Sequence, residues 1–505
     1  MTSAAIPAEV LAGELPAWLE SIPAASSFDA ARALAGYLAV VDRARIALGE
    51  RLRLLDTLSE RADRVLRDLA DIYVQSPQPM HGHAREAHGL ALALMSAVAG
   101  GYRTAAVAKV TEQSAAGAGR KLAPLLLKSM LYLAAGMRAS YATYSRVAKG
   151  AWKEMHQLYL HAELAGIATG AADAQSRISI AGLYCECLLL SLTDPYRLEP
   201  GELENIVALI RELRAPTPLG KEAPETRSSA HFFVPCDEDA PPRPLREAGD
   251  GARGASVRIF DASEIVDALR AAKDDAAGDS DGLERLALIA RLIALWDDPP
   301  KRAFRRDPAQ GSVAICVGVK PIAHFVAHDA TVDGDAENKA LREGITMPLR
   351  ALPMDETGPI PIHEWAVVNS SAGGVRVRRK ASTEYPISVG EVVGIRTPGK
   401  VQWTIGMTRW ITAVEDGTTD FGVQLFASAV CAVWVRDSSP STGRTLGLLV
   451  ADGEENSDES LLTLPNTYLE SGEFELRGEG FRSRVRATQL TQRNARFDLF
   501  HVVPS

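Results

Sequence analysis

At 505 residues the chain is too long for one compact core, and 46% hydrophobic with 24% charged residues is the composition of a folded, multidomain protein rather than a disordered one. The formal charge of -9 means that nucleic-acid or membrane-surface binding would need a strongly localised basic patch. Five cysteines (Cys185, Cys187, Cys236, Cys316 and Cys431), odd in number and without metal-ligand spacing, argue against a disulfide framework and for a reducing cytoplasm.

Met1 to Pro16 lacks a basic region followed by an apolar stretch, so no secretory signal is expected, and residues 1–25 read as a flexible N-terminus. From 26 to 214 the sequence is rich in Ala and Leu at helical spacing, as in Leu52, Leu55, Leu58, Val65, Leu66 and Leu69. This predicts an all-helical bundle, with breaks at Ser76 to Pro79, Gly100 to Gly101 and Asp194 to Pro195. The apolar run Leu122 to Gly136 is interrupted by Lys128 and too short to span a bilayer, so no membrane span is expected. His81, His83 and His88 do not have the spacing of a zinc motif and read as a polar helix start, with no metal site. The face Trp152, Met155, Leu158, Tyr159 and Ala162 resembles a tetratricopeptide helix, but no repeat of about 34 residues accompanies it, and bundle packing explains it.

Residues 215–299 form a linker and small α/β region. A short strand at His231 to Val234 and another at Val257 to Phe260 precede a helix from Ser263, its expected cap, to Ala272, and an apolar helix from Leu283 to Trp296. After Pro300 the pattern becomes alternating and β-branched, which predicts an antiparallel barrel over 300–436. Its strands are expected at Ser312 to Val319, Trp365 to Val368, Val375 to Arg379, Glu391 to Arg396, Gln402 to Val414 and Phe421 to Phe426, with Asp416-Gly417 turning the last hairpin. Residues 437–505 form a further β-rich extension that either closes a second barrel or lengthens the first. Asp329 to Pro361 reads as an acidic insertion. The fold class is therefore multidomain α+β.

Two motifs fall in order around the first barrel strand. Arg302 and Arg306 form an R-x-x-x-R pattern, with Arg305 beside them, and Asn369-Ser370-Ser371-Ala372-Gly373-Gly374 forms an N-x-S-x-x-G pattern. R-x-x-x-R recurs at Arg482 and Arg486. With the downstream Phe421-Gly422-Val423-Gln424-Leu425, the segment Lys301 to Ala427 resembles the PilZ family. The resemblance implies a PilZ-type β-barrel that binds cyclic di-GMP, with Arg302 and Arg306 as the arginine switch and Asn369, Ser371 and Gly374 as the polar turn.

Arginine suits a ligand of two phosphates and two guanines, because its planar fork pairs with phosphate, reads guanine O6 and N7 and stacks on a base. Gly373 and Gly374 would let backbone approach the ligand, and Arg376, with Arg378, Arg379 and Lys380, would extend the arginine loop into a basic rim. An arginine loop that is ordered by an arriving dianion would pass binding to the helical half, where a protein partner is expected. The chain contains no P-loop, no G-x-S-x-G elbow and no dinucleotide fingerprint, so no catalysis and no cofactor are expected. The competing reading is an interaction scaffold whose barrel has lost the messenger. Convergence of Arg302, Arg306 and Asn369 on one surface separates the two.

Overall fold

The computed structural model describes residues 26–78, 80–112, 115–171, 178–213, 219–222, 228–247, 256–276, 283–297, 305–332, 362–379, 386–400, 402–414, 418–437, 443–451, 459–478 and 481–505, with positions 15, 18–20 and 254. The chain divides into two compact units, Met1–Lys301 and Arg302–Ser505.

The first unit opens with α1 (Ser27–Arg43) and α2 (Leu48–Tyr73). Ser26 caps α1 by accepting the Asp29 amide at 3.2 Å. The last carbonyls of α1 are satisfied by Arg51 of α2, buried at 7% exposure, which donates to Val41 O at 2.6 Å and Ala44 O at 2.7 Å. Leu55, Leu58, Ala62, Val65 and Leu69 make the buried face of α2 at spacings of three and four.

The next helix, α3 (Gly82–Glu112), packs on α1, on α2 and on α4 (Ala115–Ala142). It runs unbroken through Gly100 and Gly101, where a break was expected. A Cβ at Gly101 would lie 2.5 Å from Leu55 Cδ2, so that glycine serves close helix approach rather than a turn. α3 is long and apolar enough to cross a membrane, but those neighbours cover it. His88 is buried inside it, bonded to Thr143 Oγ1 at 3.2 Å and edge-on to Tyr73, while His83 stands against Phe28.

Three helices follow, α5 (Ala151–Leu164), α6 (Ile180–Leu192) and α7 (Glu202–Leu213). The residues expected as a linker build a four-stranded antiparallel sheet from β1 (Leu219–Gly220), β2 (His231–Pro235), β3 (Arg243–Pro244) and β4 (Val257–Asp261), in the order β1-β4-β2-β3. α8 (Ser263–Ala276) and α9 (Leu283–Asp297) come next. Phe232, Val234, Phe260, Leu269, Ile289 and Trp296 join the same apolar core as the helices, so this region is an integral layer of the unit. Asp239, beyond β2, caps α5 through the Gly150 amide at 2.6 Å and the Trp152 amide at 3.1 Å. The start of α8 is served by Asp261 Oδ1, which accepts the Ser263 amide at 2.9 Å, rather than by the Ser263 side chain.

In the second unit β5 (Asp307–Pro308), β6 (Ser312–Val317), β7 (His363–Ser371), β8 (Gly374–Arg379), β9 (Val392–Arg396), β10 (Thr404–Ala413) and β11 (Thr419–Ala427) form one sheet. Its order is β5-β7-β6-β9-β10-β11-β8, and pairing of β8 back onto β7 closes six of the strands into a ring, with β5 an outer flap on β7. Inward residues alternate with outward ones: Trp365 and Phe421 stack inside at 5.0 Å between centroids, beside Val377.

Between β6 and β7 lies α10 (Val319–Val332), a helix not anticipated from the sequence. The segments 333–361 and 380–385 and the Asp416-Gly417 turn lie outside the described residues. A second, closed barrel follows, with β12 (Ala429–Asp437), β13 (Thr445–Ala451), β14 (Ser460–Thr463), β15 (Glu473–Arg477), β16 (Arg482–Arg493) and β17 (Asp498–Pro504) in the order β12-β13-β14-β17-β16-β15. It begins at Ala429, ahead of the boundary expected at 437, and its core is Val433, Leu461, Phe474, Leu476 and Phe500. Ile322, Ala323 and Val326 of α10 bury with Trp403 and Ile405 of the first barrel and with Leu446 and Leu448 of the second, so the helix is packing shared by both.

Candidate nucleotide site

The two motifs meet through β5. Directly after Arg305 and Arg306 the chain pairs antiparallel with β7, Asp307 opposite Ser370 and Pro308 opposite Asn369. The polar turn joins β7 to β8 with Asn369 opposite Arg376 and Ser371 opposite Gly374. Both arginines are exposed, and Arg305 Nε lies 3.5 Å from Asp307 Oδ1. Arg302 falls outside the described residues.

Each member of the turn has a distinct local role. The Asn369 side chain is half-buried and makes no hydrogen bond among the described residues, which leaves its amide available. The Ser371 hydroxyl donates to Gly374 O at 3.2 Å and tightens the turn. Gly373 O accepts the Leu425 amide at 3.1 Å. A Cβ at Gly374 would meet Val423 O at 2.5 Å, so this glycine is required by the neighbouring strand β11 before any ligand is considered.

Cross-strand register extends the site along the outer wall of the ring. Pro308, Asn369, Arg376, Gly422 and Trp410 form one row across β5, β7, β8, β11 and β10. Gly422 has no side chain because the Trp410 indole covers it: a Cβ there would be 1.8 Å from Trp410 Nε1. That lets Trp410 reach Arg376, whose guanidinium stands 5.7 Å from the ring centroid.

Below this row Asp420, exposed by only 1%, binds Arg376 and also Arg378, the latter through Nε at 2.6 Å and Nη2 at 2.9 Å. Burial alone would raise the Asp420 carboxyl, but the two guanidiniums outweigh it and hold the carboxyl below its ordinary range. The expected basic rim is therefore reshaped. Arg376 and Arg378 share one carboxylate, and Arg379, one residue on, turns inward over Trp365, where burial pushes its guanidinium down to about 10. Lys380 lies outside the described residues. Asp420 and Trp410 were not singled out from the sequence, and Gly422 entered there only within Phe421-Gly422-Val423-Gln424-Leu425, without a role of its own. The Gly422 and Trp410 pair becomes visible only when the register is known.

Residues 231–343 and 335–430 match the family described as cyclic-di-GMP receptor FimW, middle PilZ domain. The chain carries a PilZ domain over residues 231–430. Residues 13–222 match the N-terminal domain of the same receptor family, so the helical half ahead of the PilZ domain is matched too. The chain is 23% identical over 466 residues to the Cyclic-di-GMP receptor FimW of Pseudomonas aeruginosa, covering 82% of this chain and 76% of that protein. The PilZ match begins at 231, within the small sheet, and ends at 430, where the second barrel has only begun.

Proposed function

We propose that the protein is a cytoplasmic cyclic di-GMP receptor and not an enzyme, and that Arg302, Arg305 and Arg306 grip the dinucleotide against Asn369, Ser371 and Gly374. The supporting observation is the pairing of β5 with β7, which sets the arginine-bearing segment beside the polar turn on one wall. The exposed guanidiniums of Arg305 and Arg306 suit the two phosphates and the guanine edges. Arg376, oriented by Asp420 and Trp410, lines the same row and offers a flat cation to a base.

The arginines begin at the first residue of the second unit, so ligand binding would stiffen the joint with the helical unit and relay the signal to a protein partner there. Arg306→Ala is expected to weaken binding by roughly 1–3 kcal/mol, a loss of roughly five- to a hundred-fold or more. Calorimetric titration of both proteins checks this, and equal affinities remove Arg306 from the site.

A further inference from the structure

The second barrel carries a concentration of positive charge that the nucleotide site does not use. On its outer wall the register sets Arg436 beside Glu475 beside Arg484, Trp434 beside Arg477 beside Arg482, and Glu473 beside Arg486 beside Val503. Alternation turns all five arginines to the same face, because Val433, Val435, Phe474, Leu476, Val485 and Ala487 fill the interior. Neighbouring strands are about 4.8 Å apart and alternate residues about 6.8 Å apart, so the five guanidinium stems spring from adjoining positions on β12, β15 and β16.

Two glutamates answer five arginines. Arg482 Nε bonds Glu475 Oε1 at 2.6 Å, and Arg436 and Arg484 crowd the same carboxylate, holding it below its ordinary range after the Arg482 hydrogen bond has done most of that. Arg477 and Arg486 form no ion pair among the described residues, and Arg484 shares the Glu475 carboxylate that Arg482 already holds. Among the described residues five arginines thus face two glutamates on this wall, in a chain whose formal charge is -9.

Apolar side chains stand beside them. Val503, 37% exposed, lies opposite Arg486, and Leu469, 50% exposed, sits on the turn closed by the Gly472 amide on Leu469 O, whose Gly472 carbonyl accepts the Ala487 amide. A cationic patch with aliphatic residues at its rim matches an anionic bilayer surface, where headgroups meet the guanidiniums and the aliphatic groups enter the interfacial layer. A nucleic-acid strand would be served instead by free aromatic stacking platforms, whereas Trp434 on this wall is partly buried against the cluster around α10 and aliphatic side chains offer a strand little.

We propose that this wall of the second barrel docks the protein peripherally on membranes rich in anionic phospholipid, independently of the nucleotide. The full chain should co-sediment with vesicles of phosphatidylglycerol and phosphatidylethanolamine, not with phosphatidylcholine vesicles, and added salt should release it. The double variant Arg484→Glu, Arg486→Glu should bind such vesicles at least about ten-fold more weakly, and Leu469→Ser should weaken binding at every salt concentration. Both variants lie outside the nucleotide site, so unchanged cyclic di-GMP titration certifies their fold. Wild-type protein that stays in the supernatant overturns the proposal, as does a double variant that binds like wild type. An acidic protein partner for this wall would give the first of those results.

Discussion

Asp420 sets the geometry of the outer wall. Its buried carboxylate holds two guanidiniums, and Trp410 reaches one of them across a glycine. Counting charge alone, Asp420→Asn adds one positive charge and should tighten binding of a dianion. Geometry argues the reverse, because Asn would replace one of the two acceptor oxygens that take three bonds from Arg376 and Arg378 by an NH2 facing a guanidinium, and Arg376 would leave the row that contains Asn369. We expect Asp420→Asn to weaken cyclic di-GMP binding by roughly 1–3 kcal/mol, and a tighter-binding variant in the same titration would show that Asp420 acts only as a counter-charge. The candidate motifs were legible as residue types in order, since arginines and an amide-hydroxyl turn carry their chemistry in their side chains. Asp420 was not, nor was the role of Gly422, because a lone Asp or Gly in a strand acquires meaning only from what the register places across from it. Gly374 shows the converse: the sequence marks it for ligand approach, while the Val423 carbonyl already demands it.

Among the elements, the helices of the first unit bury titratable groups whose response to acid follows from their packing. Burial pulls the His88 imidazole from 6.5 down to about 4, against the opposing hydrogen bond to Ala139, and burial pulls His156, bonded to Tyr184 and Ala240 O, the same way. Between about pH 6.5 and pH 4 the unfolded chain therefore binds protons that the folded one refuses, and stability rises with pH through that window and is lost as pH falls. At about 1.4 kcal/mol per pH unit, His88 alone accounts for about 3 kcal/mol. Denaturant melts followed by helical circular dichroism should show the loss between pH 7 and pH 4.5, and constant midpoints would mean that these histidines are solvated. The helices were legible where apolar periodicity was long, as in α2 and α5. Failures came where one residue has two uses: Gly101 signals a turn but here admits Leu55, and the Gly318 and Pro321 around the start of α10 hid a helix whose Ile322, Ala323 and Val326 bury against two barrels at once. Strand positions were read to within a few residues and the first ring was expected as a barrel, but whether the rest closes a second ring was left open, because closure depends on which edges meet.

For the whole molecule, the arrangement of chain matters more than any one contact. The boundary between the two compact units falls between Lys301 and Arg302, and on the proposed function the ligand-binding arginines would begin at that boundary. Small-angle scattering of the full chain should change when cyclic di-GMP is added. A profile that stays the same would leave a receptor without that relay. The sequence suggested the two halves by composition, helical then alternating, and left the second barrel undecided between extension and separate ring. It read the small sheet as a linker and small α/β region, placing two of its strands but not its share of the helical core, since short strands flanked by Pro and Gly look alike whether or not Phe232 and Phe260 are buried.

The flap β5 carries one last implication. It is two residues long, one of them is Pro308, which has no amide hydrogen to give, and the ring beneath closes through β7 and β8 without it. The segment that presents Arg306 is thus joined to the wall by few backbone bonds, while the ring behind it closes by itself. On the proposed function an occupied site would rivet that flap in place, and the messenger would be sensed as a fastening rather than as a reshaping of the barrel.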